Sequence, residues 1–248
     1  MAIYVYTGTP GEEWQPLIPG DYTLLRWPCD EGFHVPLEEE RQAILDTGIS
    51  SSNIKSKLYI PVAWYIWKNG WSWESWTKVY LHTSTISASV YTKTFYTDNS
   101  TWKTISEQQR AYGYWIRAFR NTPIIPDENW TETLSGIVWY NESLWLISVL
   151  VGTNQYVTLQ DKNVWATEVC TNRSTITANN RWKYFQRWNN YGFTWDNISP
   201  TSETKVDPTW YWPSNPYSSN TFILCDVDSG SRCNPQNDNL RWYTDFNS

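Results

Sequence analysis

The chain has 248 residues, enough for one large β-rich domain or for two smaller domains with cores of their own. Its formal net charge is −6 and its lysines and arginines form no cluster along the sequence, so a nucleic-acid backbone would meet no basic track. Nineteen Trp and seventeen Tyr stand beside seven Phe and one Met, a surplus of aromatic side chains with a polar edge. The composition predicts a folded acidic protein and argues against nucleic-acid binding.

Neither a membrane span nor an export signal is predicted. The longest apolar candidate, at 144–151, is the size of a strand and falls well short of the roughly 20 residues that cross a bilayer. The N-terminal sequence MAIYVYTGTPGEEW lacks the basic start and the apolar core of a Sec signal peptide. We therefore expect no membrane insertion, and a protein made in a cytoplasm that either stays there or leaves by another route, such as cell lysis.

The predicted elements begin with a short strand and an arm. Ile3 and Val5 alternate with tyrosines, which favours a strand. Prolines and glycines then recur between residues 10 and 20, where they favour a stiff extended segment. We expect residues 1–28 to form an N-terminal strand and an assembly arm that needs a partner surface.

One main helix is predicted over about 36–46. Leu37 and Ile44 fall at helical spacing, and acidic residues occupy the first turn, where the helix dipole favours them, while Gly48 ends the helix. The three consecutive glutamates at 38–40 point in different directions on a helix. We interpret them as a solvated first turn rather than as catalytic acids.

Strand and turn signals follow the helix. A strand predicted at 112–119 ends shortly before Pro123 and Pro126, which mark a boundary. We expect a β-strand connector at 123–160. Asn, Ser, Pro and Trp dominate beyond it, so a loop-rich Trp/Asn-rich segment is predicted at 161–248.

Two runs carry a family resemblance: GFHVPLEEERQAIL at 32–45 and RAYGYWIRAFRNT at 110–122. The first resembles the GWHVPTxxEWxxL signature of the Fibrobacter major paralogous domain. The second resembles the RxxGxxVRPFxN strand that ends such modules, and LYIPVAWY at 58–65 is similar to the strand between them. Residues 29–122 therefore resemble a C-type-lectin-like module of the kind found in bacterial surface and phage fibre proteins.

The resemblance implies a fold class and a set of structural residues. The expected fold is α+β, mostly β and loop-rich, with a C-type-lectin-like module that carries the main helix and with an additional loop-rich β region. His34 is expected to satisfy a loop carbonyl at the start of the helix. The residues that the two motifs place in structural roles are His34, Pro36, Arg110, Tyr112, Gly113 and Arg117.

A later part of the chain resembles the opening half of the same kind of unit. The matching runs are TLQDKNVWATEV at 158–169, WKYFQRWNNYGF at 182–193 and NDNLRW at 237–242. The two halves thus stand in reversed order. We expect residues 29–122 to pack against residues 158–242, either in the same chain or in a neighbouring copy.

Several tryptophans stand where relatives usually have glycine, namely Trp64, Trp165, Trp188 and Trp242. Where glycine serves a positive φ, tryptophan cannot replace it without strain. Either these loops differ from those of the relatives, or UGA codons of the source are recoded and were translated here as Trp.

No chemistry of a catalytic or metal site is predicted. His82 lacks the GxSxG motif that would support a nucleophile, and the cysteines at 29 and 170 lack the spacing of a zinc site. The turn that begins at Asp226 lacks the acid that completes a calcium loop. We therefore expect no enzyme activity, no metal and no cofactor. A disulfide between Cys225 and Cys233 is left open.

Aromatic surface remains as a source of ligand binding, because exposed rings stack on sugars or anchor interfaces. Trp115, Trp139 and Trp145 lie in strand patterns and are expected in the core. The alternative for the remaining aromatic clusters, that they also fill the core, is left open. The candidate ligand-binding residues are Trp71, Trp73, Trp76, Trp210, Tyr211 and Trp212.

The function expected from these patterns is non-enzymatic. The missing signal peptide, the proline-rich arm and the resemblance together indicate a structural or adhesive virion appendage, such as a phage tail or head fibre or a decoration protein. Its partners would be other copies of itself, in a homo-oligomer or filament, and a cell-surface glycan or receptor. The alternatives are a carbohydrate-binding module or bacterial cell-surface adhesin and, with less support, an enzyme of the sulfatase-modifying class.

Overall fold

The computed structural model describes two long stretches, 28–61 and 112–171, and a series of shorter ones. The shorter stretches are 4–5, 15–16, 65–66, 72–73, 78–88, 91–98, 103–109, 179, 183–186, 189, 191–194, 200–202 and 218–224. None of the helices within these described residues has the length and hydrophobicity of a membrane span.

The described elements are mostly strands, as expected for a β-rich α+β class. The helices are α1 (Glu38–Asp46) and α2 (Ser51–Lys57). The strands are β1 (Tyr4–Val5), β2 (Gln15–Pro16), β3 (Phe33–His34), β4 (Tyr65–Ile66), β5 (Ser72–Trp73), β6 (Val79–Ala88), β7 (Tyr91–Thr97), β8 (Lys103–Gln109), β9 (Gly113–Tyr114), β10 (Phe119–Arg120), β11 (Thr131–Leu134), β12 (Val138–Asn141), β13 (Leu146–Gly152), β14 (Gln155–Gln160), β15 (Tyr184–Gln186), β16 (Gly192–Phe193), β17 (Thr201–Ser202) and β18 (Phe222–Ile223).

The main helix α1 lies where the sequence predicts it. Its buried face includes Ile44 and Leu45, and Glu39 faces solvent. Glu40 does not fit the predicted solvated turn, because its side chain is only 17% exposed and its carboxylate accepts the Leu37 N–H at 2.8 Å. This bond satisfies one of the amide groups that a helix start leaves without an intrahelical partner.

The short helix α2 was not predicted. Ser50 caps it, because its hydroxyl accepts the Asn53 N–H at 3.2 Å. Ile54 and the following Leu58 are both buried and lie four residues apart, on the same face. A serine cap followed by two apolar residues at this spacing was the signal in the sequence.

Three larger sheets form the body of the described chain. One has the strand order β11-β12-β13-β14-β10-β3, a second has β16-β15-β9-β4-β5, and a third is the meander β6-β7-β8. Two-stranded pairs β1-β2 and β17-β18 complete the described pairings. The partners in the larger sheets run antiparallel, whereas β17 and β18 are parallel.

The run predicted as one strand at 112–119 contributes strands to two sheets. Its first part, β9, pairs with β4 and β15, and its end leads into β10, which pairs with β3 and β14. Between them Trp115 bridges to Leu81 of the meander. Every residue from 112 to 119 is buried, and the sequence signal for a strand could not show that the chain changes sheets in the middle.

The two regions that were expected to pack together do so within one chain. Phe185 and Gln186 pair with Tyr114 and Gly113, and Phe119 pairs with Leu159. A common core joins both regions with the two helices. Its members include Ile44, Leu45, Ile54, Ile66, Leu81, Phe95, Trp115, Phe119, Val138, Ile147, Val149, Leu159, Tyr184, Phe193 and Phe222.

Gln186 attaches β18 to the second sheet through its side chain. The amide is fully buried, its oxygen accepts the Ile223 N–H at 2.9 Å, and its nitrogen donates to the Ile223 carbonyl at 2.6 Å. The side chain therefore takes the place of a neighbouring strand.

We predict that Gln186→Leu lowers the free energy of unfolding. The change keeps most of the volume but costs about 1–3 kcal/mol for each buried backbone group left unpaired. Denaturant titration measures the loss. Gln42→Leu, at an exposed position of α1, is the matched control and should change stability by less than about 0.5 kcal/mol. Equal effects of the two substitutions would contradict the attachment role.

Candidate functional site

The two sequence motifs meet side by side. His34 of β3 pairs with Phe119 of β10, and Phe33 pairs with Arg120. Beyond the pairing, the Asn121 N–H donates to the Gly32 carbonyl at 2.9 Å. We call the cluster of His34, Glu40, Arg41, Arg117 and Asn121 the motif junction.

His34 connects the helix start to the closing strand. Its ring is 2% exposed, with Nε2 at 2.9 Å from the Glu40 carboxylate and Nδ1 at 2.9 Å from the Asn121 side-chain oxygen. The expected loop carbonyl is thus replaced by two side-chain acceptors. Because both acceptors face ring nitrogens, the geometry favours an imidazolium that donates in both directions.

The pKa of His34 lies above its ordinary value of 6.5. Burial by itself lowers this pKa, but the charge of Glu40 and the hydrogen bonds to Glu40 and Asn121 raise it by more. The nearby Arg41 opposes protonation. The protonated ring therefore stabilises the folded chain.

Arg117 holds three segments of the chain together. It is fully buried, and Nη1 donates to the Leu58 and Gln160 carbonyls at 3.1 and 2.9 Å. Nη2 donates to the Tyr59 carbonyl at 2.9 Å and Nε to the Asn163 side chain at 3.2 Å. The guanidinium thus joins the end of α2, the end of β14 and the turn that follows.

Burial lowers the pKa of Arg117 to about 10, and the charge of Asp161 partly offsets this effect. The group remains protonated at neutral pH. Only arginine offers this many donors in one planar fork, which matches a set of carbonyls converging from different loops.

Arg41 is a member of the motif junction that sequence reasoning missed. Its side chain is 1% exposed, and its guanidinium carbon lies 4.6 Å from the Phe119 ring centre and 5.4 Å from that of Phe95. Its Nη2 donates to the Arg117 carbonyl at 3.3 Å. Burial and the neighbouring Arg117 lower the pKa of Arg41 to about 9. In the sequence, Arg41 follows three glutamates at the start of the helix, so nothing there indicated that its side chain is buried.

Pro36 and Gly113 also hold close contacts. The Ser84 N–H donates to the carbonyl of the buried Pro36 at 2.8 Å, which joins the helix start to β6. A Cβ on Gly113 would lie 3.1 Å from the Ile66 Cβ, tighter than ordinary packing. Glycine at this position therefore lets β9 approach β4.

Tyr112 belongs to a cluster of tyrosine rings. Its ring centre lies 5.9 Å from that of Tyr65 and 5.7 Å from that of Tyr114, and Tyr80 stacks on Tyr114 at 5.5 Å. Burial raises the pKa of Tyr112 and of Tyr114, so both hydroxyls stay protonated. Arg110, the remaining motif residue, lies outside the described residues.

Of the candidate aromatic ligand residues, Trp73 is the one in the described part of the chain. Trp73 contributes its backbone to β5, and Trp71, Trp76, Trp210, Tyr211 and Trp212 lie outside the described residues, as do Cys225 and Cys233. Of the tryptophans expected in the core, Trp115 is fully buried and Trp139 is half-buried. The expectation for Trp145 was wrong. Its side chain is 49% exposed because it ends a hairpin loop rather than lying in a strand.

The side chain of His82 makes a hydrogen bond inside the described structure. His82 is fully buried, and its Nε2 bonds the Phe185 carbonyl at 2.8 Å. Among the described residues no group of three His, Cys, Asp or Glu side chains could hold a metal ion. The polar groups of the motif junction bind other segments of the same chain. Their effect is therefore to fix the position of loops.

Comparison of the chain with family models, with curated proteins and with solved structures found no match. The lectin-like resemblance therefore stays a prediction.

We predict that Arg117→Met lowers the free energy of unfolding by about 3–5 kcal/mol, because a side chain of similar volume leaves several buried acceptors unpaired. Arg117→Lys should retain part of the stability, since the ammonium reaches fewer of the carbonyls. Urea titration measures both. The control Arg120→Lys, at a half-buried position of the same strand region, should cost less than about 1 kcal/mol. A loss for Arg117→Met no larger than that of the control would contradict the role of Arg117.

The raised pKa of His34 predicts a pH dependence of stability. A group whose pKa rises on folding contributes its full stabilisation below its unfolded pKa near 6.5, and that contribution is lost as the pH increases through the folded value. We expect the difference in unfolding free energy between the wild type and His34→Gln to shrink as the pH rises from about 6 to about 9. Glu40→Gln should weaken this dependence. Parallel stability curves for the wild type and His34→Gln would refute it.

Proposed function

We propose that the chain is a non-enzymatic structural or adhesive protein, a virion appendage such as a tail or head fibre or a decoration protein. It assembles with copies of itself and displays a lectin-like surface on a virion or another extracellular surface. The observation that carries the proposal is the motif junction. Its charged and polar groups hold loops on a β framework.

The internal bonds of the motif junction support a display function. His34 and Arg117 lie at most 2% exposed, and their partners come from the helices, the closing strand and the β14 end. A binding surface on loops needs a framework that positions them, and buried polar side chains give such rigidity where they are paired, as those of His34 and Arg117 are. A fibre or decoration protein uses this property.

The sheet edges support assembly. β11 lies at one end of the six-stranded sheet, and its Thr131 and Glu132 are exposed. β8 lies at one end of the meander. An edge strand presents backbone donors and acceptors that can pair with another chain.

Sedimentation velocity combined with negative-stain electron microscopy tests the assembly. The full chain is expected to form a homo-oligomer of defined size or a filament, with mass increasing in integer steps. The variant Thr131→Pro removes a backbone donor at the β11 edge and should weaken any assembly that uses it. A monomer at every concentration up to the solubility limit would contradict the proposal.

A further inference from the structure

Two tryptophans lie in a backbone conformation that favours glycine. Trp145 has a φ of 60° and Trp165 a φ of 64°, both in the left-handed region. This region brings the Cβ of an L-residue too close to its own backbone, and a bulky side chain there is an outlier. In the described chain the other residues with positive φ are Gly32, Gly48, Gly136, Asn154 and Tyr59.

Trp165 occupies a turn position that two other turns of the same chain fill with glycine. The Ala166 N–H donates to the Asn163 carbonyl at 2.9 Å, so Trp165 is the third residue of a β-turn. In another turn the Ile137 N–H donates to the Leu134 carbonyl at 2.9 Å, and the third residue is Gly136, with a φ of 65°. A third turn of this kind has Gly32 at this place. Type II turns require a positive φ at their third residue and select glycine there.

Trp145 is the last residue of the loop between β12 and β13. At the start of the loop the Leu144 N–H donates to the Asn141 side-chain oxygen at 3.0 Å. At its end the Asp161 N–H donates to the Trp145 carbonyl at 3.0 Å. The next hairpin, between β13 and β14, uses Asn154 for its positive φ of 57°. Asparagine and glycine are the residues that tolerate this conformation.

The packing around these tryptophans does not explain their strain. The comparable residue Tyr59 has its carbonyl held by Arg117, and its ring packs on Tyr140 at 5.1 Å. The rings of Trp145 and Trp165 are half-exposed. Their ring contacts are Lys162, 3.5 Å above Trp145, and Phe185, 5.3 Å from Trp165. Strained residues persist where their surroundings force them, and glycine would keep each backbone bond described here.

The composition points the same way. The chain has nineteen Trp but only eleven Gly in 248 residues. Glycine usually makes up about 7% of a protein, which would correspond to about seventeen residues here. A deficit of glycine beside a surplus of tryptophan is expected if the translated sequence has tryptophan at positions where the natural protein has glycine.

We propose that positions 145 and 165 are glycine in the natural protein, because their codons are UGA and the source reads UGA as glycine. The strained tryptophans then come from translation of the gene with a different genetic code. Trp130 serves as the internal control, because it is 8% exposed and its φ is not positive. Its codon should be UGG, the standard tryptophan codon.

Reading the gene and weighing the natural protein test the proposal together. We expect UGA at 145 and 165 and UGG at 130. Peptides from the source organism should have the mass of glycine at the first two positions and of tryptophan at the third. UGG at 145 or 165, or the mass of tryptophan at either position, would overturn the proposal.

Stability measurements test its structural basis. Trp145→Gly and Trp165→Gly should each melt about 2–4 °C above the alanine variant of the same position, since both lose the same ring contacts and only the backbone preference differs. At Trp139, in β12, the order should reverse, with glycine below alanine. Glycine variants that melt no higher than the alanine variants at 145 and 165 would remove the basis of the proposal.

The same codons bear on the candidate ligand residues. If UGA also encodes Trp71, Trp73, Trp76, Trp210 or Trp212, the aromatic surface expected from the sequence is smaller than its letters suggest.

Discussion

The buried guanidinium of Arg117 is the interaction on which the rest of the described fold depends. It joins the end of α2 and the end of β14 through backbone carbonyls, and the following turn through the Asn163 side chain. A buried charge must find partners, and here the chain's own loops supply them. Beside it, Arg41 bonds the Arg117 carbonyl and packs on Phe119, whose neighbour across the strands is His34. Two motifs far apart in sequence are thereby fixed in one place.

The sequence predicted the elements with strong local signals. The helix α1 follows from Leu37, Ile44 and an acidic first turn, and the packing of residues 29–122 against 158–242 within one chain was one of the two arrangements expected. Contacts that depend on three-dimensional placement could not be predicted. The contact between His34 and Asn121 and the burial of Arg41 depend on residues more than 70 positions away in the sequence, in β10 and its surroundings. The exposure of Trp145 was missed because periodicity does not show where a strand ends and a hairpin loop begins.

The regions 29–122 and 158–242, which resemble two halves of one unit, are joined by strand pairing in this fold. β15 adds to β9 through backbone pairing, and Gln186 then extends that sheet to β18 with its side chain. Since the two regions associate within one chain, a neighbouring copy is not needed to complete this contact. The proposed assembly would use other surfaces, such as the end strands of the described sheets.

Hydrogen exchange of Arg117→Met against the wild type tests most directly whether this residue couples the segments. The probes are the amides of Ile60, Gln160 and Val164, which donate to Lys55, Ala118 and Ile116 at 2.9 to 3.0 Å in the folded chain. If Arg117 couples the segments, protection of these three amides falls together, while amides of the β6–β7 pairing remain protected. Unchanged protection of the three amides, or loss at one of them alone, would contradict the coupling.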